Sequence, residues 1–125
     1  MDALLEILVA DSSYLVHGLL KDATLLEEKT IISPDLALYE VTNTIWKHQV
    51  LLKDLQNGKK FLDLFYELVE MNTIQLVRPD RTILAQACKI AASNRCSVYD
   101  AIFVALAQGL GLTLETFDEL QKKLK

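Results

Sequence analysis

Short apolar runs alternate along this chain with longer stretches in which apolar residues recur every three to four positions. The short runs cover residues 7–10, 30–32, 74–77 and 112–114 and have the length of buried strands. The longer stretches predict helices over residues 12–21, 34–50, 51–71, 80–91, 98–108 and 116–125, with a break near Asn57-Gly58. Strands separated by helices indicate βαβ units and a parallel sheet with helices on both faces. We expect one α/β domain over residues 1–125.

Capping signals refine several helix boundaries. Ser33-Pro34 predicts a helix start, with Ser33 as N-cap and Pro34 at the first helical position. Asp80, Ser97 and Thr116 are predicted caps of the later helices, and Gly109 and Gly111 are expected to end the helix that Ser97 starts. The helix after Asp80 is predicted to face inward with its apolar stripe: Ile83, Leu84, Ala87, Cys88 and Ala91.

Composition excludes a membrane-spanning class. Apolar residues make up 51% of the chain, and the mean hydropathy is +0.21. No apolar run approaches the roughly 18 residues that a spanning helix needs. Residues 1–4 include no basic segment typical of a signal peptide, so we expect a cytoplasmic protein.

The charge balance points to a particular set of residues. The net charge is −4, from 17 acidic and 13 basic side chains, which argues against a dedicated sequence-independent DNA-binding protein. Four carboxylates beside core-forming segments account for that excess: Asp11, Glu40, Asp100 and Asp118. Carboxylates rarely stay buried unless they are paired or bound to a metal, and carboxylate oxygens suit Mg²⁺ or Mn²⁺. Because ligands bind at the carboxyl ends of parallel strands, we expect one acidic site suited to metal-assisted phosphodiester hydrolysis.

Each carboxylate also has a purely structural interpretation. Asp11 can cap the helix that follows it, Asp100 can complete a capping box with Ser97, and Asp118 lies in the capping-box segment that Thr116 begins. Glu40 lies in the middle of a helix, where Asn43 can hydrogen-bond its carboxylate or share a solvated polar face with it.

Other chemistry has weaker signals. The chain contains neither a P-loop nor a G-x-G-x-x-G motif. Ser12 and Ser13 have no accompanying catalytic histidine, and His17 and His48 have no partners at catalytic spacing.

The segments around the four acids resemble, in order, the motifs of PIN-domain nucleases. These segments are 7–15, 33–43, 97–107 and 114–118, and the resemblance spans nearly the whole chain. Among PIN domains, the size and spacing are most similar to VapC-type toxin endoribonucleases. The resemblance implies a three-layer α/β/α domain with a small parallel sheet, usually dimeric, that cleaves RNA with Mg²⁺ or Mn²⁺.

The resemblance also assigns roles to individual residues. It implies Asp11, Glu40, Asp100 and Asp118 as the catalytic set, with Asp11, Asp100 and Asp118 as metal ligands and with Thr116, Asn43 and Ser13 in support. Phe117 departs from the pattern, because a smaller residue is commoner there.

A VapC-like protein implies a small antitoxin partner. The broken helical region 51–71, with Leu52, Leu55, Phe61 and Phe65, is the expected hydrophobic groove for it. Three alternatives stay open: a stand-alone RNA-processing nuclease, a non-catalytic PIN-like binding module, and a receiver-like phosphotransfer domain. The last fits less well, because a single acid follows the first strand where that class has an adjacent pair.

Overall fold

Four parallel strands form the centre of the molecule, which a computed structural model describes over residues 5–125. The order across the sheet is β3-β2-β1-β4, and the strands are β1 (Glu6–Ala10), β2 (Lys29–Pro34), β3 (Ile74–Val77) and β4 (Leu114–Glu115). All three strand pairs are parallel, as the alternation of strands and helices predicts. The sequence expectation about residues 1–4 lies outside the described residues.

Six α-helices in the described residues connect and flank the strands. They are α1 (Ser12–Leu20), α2 (Leu36–Lys47), α3 (Gly58–Glu70), α4 (Arg81–Asn94), α5 (Val98–Leu110) and α6 (Glu119–Leu124). A 3₁₀ turn, Ala23–Leu26, follows α1, and a π-helical turn, His48–Leu52, continues α2. None of the helices within residues 5–125 is long and apolar enough to cross a membrane.

The helices form two layers around the sheet. Helix α5 packs on β1 and β2 between α4 and α6, whereas α1, α2 and α3 contact one another and the strands β1, β2 and β3 in turn. Residues 101–107 of α5 are all buried, because this helix is covered by the sheet on one side and by helices on the other. This arrangement confirms the predicted three-layer α/β/α fold.

The predicted helix start at Ser33-Pro34 is wrong. Both residues belong to β2, where Ser33 pairs with Leu76 and Pro34 with Val77. The buried Ser33 hydroxyl donates a hydrogen bond to the carbonyl of Ala10 at 2.7 Å and so ties β2 to β1. A proline is tolerated here because it lies at the end of the strand, where fewer ladder hydrogen bonds are needed.

The predicted cap at Thr116 is also wrong. Helix α6 begins at Glu119, and its N-cap is Asp118, whose carboxylate accepts from the backbone N–H of Gln121 at 3.0 Å. The Thr116 hydroxyl instead donates a hydrogen bond to Asp11, just after the end of β1. The caps at Asp80 and Ser97 and the break before Gly58 are confirmed.

Helix α4 buries less than its sequence predicts. Ala87 and Ala91 are buried, whereas Leu84 and Cys88 are exposed. The helix packs mainly against α5, so only a narrow stripe of small residues is covered. Helix α5 ends at Gly111, which has a φ of 66° and therefore takes a left-handed conformation that glycine adopts without strain.

Candidate active site

The carboxyl ends of β1 and β4 lie side by side at one edge of the sheet. Strand β1 leads into Asp11 and β4 leads into Thr116 and Asp118, and the two strands pair from Val9 to Ala10. In the sheet, β1 lies between β2 and β4. The chain runs from β1 to β2 on one side, whereas β4 joins β1 on the other side, so the strand order reverses at β1. Ligands of open parallel sheets bind at such a point, where the strand order reverses.

Asp11 is almost completely buried, at 2% exposure, and its carboxylate accepts three hydrogen bonds. Oδ1 accepts from the Ser13 hydroxyl at 2.7 Å and from the backbone N–H of Tyr14 at 3.0 Å. Oδ2 accepts from the Thr116 hydroxyl at 2.6 Å. Asp11 therefore caps α1, as its structural interpretation predicts, while its second oxygen joins α1 to the segment after β4.

Burial raises the pKa of Asp11 above its ordinary value. The hydrogen bonds from Thr116, Ser13 and Tyr14 act in the opposite direction, and the negative charge of Asp118 raises this pKa further. Asp118 itself is exposed, and its backbone N–H donates to the Thr116 hydroxyl at 2.8 Å. The Thr116 hydroxyl thus connects two of the predicted site residues.

Glu40 projects from α2 toward the turn after β1. Its Oε1 accepts from the Ser12 hydroxyl at 2.7 Å, and the side chain is partly buried. Burial raises the pKa of Glu40, Ser12 lowers it, and the charges of Asp100 and Asp11 raise it again. The predicted partner Asn43 is exposed and, within residues 5–125, has no hydrogen bond to Glu40.

Asp100 lies in the first turn of α5 and is partly buried. The Ser97 hydroxyl accepts from the Asp100 backbone N–H at 3.1 Å and donates to its carboxylate at 3.0 Å. The local capping interaction is therefore present, and the carboxylate still lies close enough to Glu40 to raise its pKa.

Sequence reasoning missed Ser12 as a partner of this region. The sequence signal for Ser12 was its position beside Asp11, at the turn from β1 into α1. Neighbouring residues at the start of a helix point to different sides, so Ser12 and Ser13 can bond different acids. The structure thus places Ser12 on Glu40 and Ser13 on Asp11.

No cation offsets the four acids in the described part of the chain. Its three side-chain ion pairs are His48–Asp54, Lys59–Asp63 and Lys122–Glu119. Asp11 and Glu40 are therefore held by hydroxyl and N–H donors alone, and the charge of Asp11 raises the pKa of Glu40.

Carboxylate oxygens are the ligand type that a hard divalent cation prefers, but their arrangement in this structure fits such a cation less well. Within residues 5–125, no three His, Cys, Asp or Glu side chains are gathered closely enough to form a metal cluster. Mg²⁺, however, keeps several waters and is usually bound by only one or two carboxylates. Asp11 and Glu40, whose pKa values are raised by burial and by neighbouring acids, are two carboxylates without a paired cation in residues 5–125.

Fold and site together define a parallel α/β domain with an acidic site at the carboxyl edge of its sheet. The family model of the PIN domain matches residues 8–125. The chain belongs to the PIN-domain family.

Two individual proteins are similar to this chain. It is 36% identical over 84 residues to Ribonuclease VapC3 of Pyrobaculum aerophilum, and the alignment covers 67% of this chain and 63% of that protein. The crystal structure of PAE2754, also from Pyrobaculum aerophilum, matches with a TM-score of 0.70 at 21% identity and covers 97% of this chain and 85% of that one. At that identity, the second likeness bears on the fold alone.

Proposed function

We propose that this protein is a metal-dependent endoribonuclease that hydrolyses RNA phosphodiester bonds, in one domain over residues 1–125. The observation that carries the proposal is the hydrogen-bond network at the carboxyl edge of the sheet, in which Thr116 joins Asp11 to the Asp118 backbone and Ser12, next to Asp11, bonds Glu40. Within residues 5–125, no ion pair with a cation involves these acids. The similarity to a protein named as a ribonuclease supports RNA as the substrate.

Asp11, Asp100 and Asp118 are the residues that we assign to hold Mg²⁺ or Mn²⁺. A bound divalent ion supplies positive charge for the scissile phosphate and lowers the pKa of an attacking water. The Thr116 and Ser13 hydroxyls fix the two Asp11 oxygens in orientation, because each oxygen has a short hydrogen bond from one of them.

Glu40 is the residue that we assign to orient the attacking water and accept its proton. Its raised pKa makes the carboxylate a stronger base than an exposed glutamate, and the hydrogen bond from Ser12 holds one oxygen in place. The second oxygen stays available for water.

RNA cleavage by purified protein tests this function. We expect cleavage with Mg²⁺ or Mn²⁺ that stops in EDTA, and Glu40→Gln should lower kcat by about 100-fold or more, the usual contribution of a general base. Asp100→Asn should lower it at least as much while circular dichroism shows the native fold. Asp63→Asn is the matched control, because Asp63 is an exposed acid on α3 paired with Lys59. Undiminished cleavage by both site variants would contradict the proposal.

We further propose that the protein is the toxin of a toxin–antitoxin pair, a homodimer held inactive by a small partner protein. Exposed apolar side chains along α2 and the π-helical turn support a protein-binding surface: Tyr39, Trp46, Val50, Leu51 and Leu52. The expected groove over residues 51–71 needs one correction, because Phe65 is fully buried in the core and is not available to a partner.

Sedimentation and co-expression test the pairing. A toxin should inhibit growth when it is expressed alone, form a dimer, and copurify with the product of a neighbouring reading frame. A harmless monomer that still cleaves RNA would indicate a stand-alone RNA-processing nuclease instead. A protein without metal-dependent cleavage would indicate a non-catalytic PIN-like module.

A further inference from the structure

A cleft between α1 and α2 opens directly beside the acidic site. Its volume is about 320 Å³, and its lining includes Ser12, Ser13, His17, Lys21 and His48. Ser12 and Ser13 are the hydroxyls that bond Glu40 and Asp11, so the cleft and the acidic site share a wall. A molecule lying in the cleft therefore lies against the hydroxyls that bond the two carboxylates.

Ser13, His17 and Lys21 form a row along α1. Successive members are four residues apart; Ser13 and His17 share one face of the helix, Lys21 is its C-cap, and all three line the cleft. The row runs about 12 Å outward from the carboxylates, at 1.5 Å per residue. Within residues 5–125, the Lys21 ammonium makes no ion pair, so it is available to an anionic ligand. His48 differs, because it is paired with Asp54 at 2.9 Å.

Phe117 stands at the rim of this row, next to Asp118. Its ring stacks on the His17 imidazole, with centroids 4.4 Å apart and an angle of 23° between the planes. Tyr14, one helical turn before His17, stacks on the same ring from 5.9 Å. Both partners belong to α1. Phe117 is nevertheless 45% exposed, so part of its side chain is accessible to a ligand.

The backbone of Phe117 is tied to the acidic region. The Phe117 N–H donates to the Ser13 hydroxyl at 3.0 Å, and the same hydroxyl donates to Asp11. A partly exposed aromatic ring, packed on His17 and Tyr14, thus lies beside the acidic site. Exposed aromatic faces are the surfaces on which unpaired nucleobases stack.

We propose that Phe117 and the row Ser13–His17–Lys21 form a subsite for single-stranded RNA. An unpaired base next to the scissile phosphate stacks on the open face of Phe117, and Lys21 and the His17 imidazole bind a phosphate further along the strand. This inference rests on the proposed function, because it describes how the substrate reaches the same carboxylates. A duplex is excluded by the chemistry, since its base faces are already stacked.

Binding of a short fluorescein-labelled single-stranded RNA, followed by anisotropy in EDTA, tests the subsite without cleavage. Phe117→Leu keeps an apolar side chain against His17 but removes the aromatic face, and it should weaken binding about 5- to 150-fold, the range of one base–aromatic stack. Phe117→Trp should bind at least as tightly as wild type. Tyr66→Leu is the matched control, since Tyr66 on α3 is 47% exposed and lines no part of the cleft.

Lys21→Ala gives a second, independent measurement on a surface residue whose replacement leaves the fold intact. It should weaken binding and reduce the slope of log affinity against log salt by about 0.7, the contribution of one phosphate contact on a single strand. An unlabelled duplex of the same sequence should compete poorly.

The outcomes separate this inference from the proposed function. If Phe117→Leu and Lys21→Ala bind the RNA as tightly as wild type, or if the duplex competes equally well, the subsite is refuted, even where wild type cleaves RNA. If both variants lose affinity while no condition yields cleavage, the subsite stands and the nuclease assignment fails. Wild-type protein that does not bind the single strand at all would refute the subsite.

Discussion

Replacing Thr116 by valine tests the hydrogen-bond network that holds the acidic site together. The Thr116 hydroxyl donates to the buried Asp11 carboxylate at 2.6 Å and accepts from the Asp118 backbone N–H at 2.8 Å. Valine has nearly the same shape but can neither donate nor accept. The substitution therefore removes two hydrogen bonds with little change in packing.

The cost follows from those two contacts. A hydrogen bond to a charged group contributes about 1.5–3 kcal/mol, and the neutral bond to a backbone N–H that water can partly replace adds about 0.5–1 kcal/mol. We therefore expect Thr116→Val to lower the free energy of unfolding by about 2–4 kcal/mol. Most of this loss in stability comes from the Asp11 contact, because Asp11 is 2% exposed and water cannot replace the lost hydroxyl donor.

Urea unfolding followed by circular dichroism in EDTA measures this cost. The slope against urea should stay unchanged, because the surface exposed on unfolding is the same. Thr116→Ser, which keeps the hydroxyl, and Thr113→Val, at an exposed neighbouring threonine, are the controls. The difference between wild type and Thr116→Val should shrink at low pH, since the bond stabilises only the ionised form of Asp11. A Thr116→Val protein within about 0.5 kcal/mol of wild type at neutral pH, the usual scatter of surface substitutions, would refute the reasoning.

Three further predictions follow from the same geometry. In EDTA, Asp11→Asn should melt above wild type, because asparagine keeps the cap and removes a destabilised charge; a lower melting temperature would contradict this. The pKa of Asp11 in the folded protein is raised from 3.8, so the stabilising contribution of the protonated acid is complete below that pH and is lost as pH rises through the folded pKa. The difference in melting temperature between Asp11→Asn and wild type should therefore widen with pH. Ser12→Ala should raise the pKa of Glu40 and move the acidic limb of the cleavage pH profile upward, and an unmoved profile would remove Glu40 from the base role. Gly111→Ala should cost about 1–2 kcal/mol in urea unfolding from backbone strain alone, since φ is 66° and no atom lies within 4 Å of the added methyl; an unchanged stability would show that the turn relaxes.

The sequence predicted the order of strands and helices because each apolar run is short and each helix carries its own boundary signal. The helix after Ser97 shows this best: its cap at Ser97 and its end at Gly111 are confirmed, whereas Gly109, also expected to end it, lies inside the helix. The two wrong helix starts occur where a polar side chain bonds across the sheet. Ser33 bonds Ala10 and Thr116 bonds Asp11, so neither starts a helix. Local capping rules do not include such long-range partners.

The membership of the four acids in one site stays a prediction, and their hydrogen-bond partners were less predictable from the sequence. The four acids were identified because each lies next to a segment that must be buried. The partner of Glu40 was misassigned to Asn43, one turn along the same helix, because helical spacing is visible in a sequence and the approach of α1 to α2 is not. Phe117 is a similar case. The sequence marks it only as larger than expected, and its stack on His17 depends on the distance between α1 and the end of β4.

Asp11 combines two demands that compete in energy. As an N-cap its side chain must accept hydrogen bonds at the start of α1, and as a member of the proposed acidic site it must lie close to Asp118. Burial favours the neutral acid, and three donors favour the carboxylate; the net result is a raised pKa, so burial outweighs the donors. The carboxylate is thus held in one orientation without being fully stabilised by the protein itself. A ligand that brings positive charge to Asp11 therefore binds the folded chain in preference to the unfolded one and stabilises it.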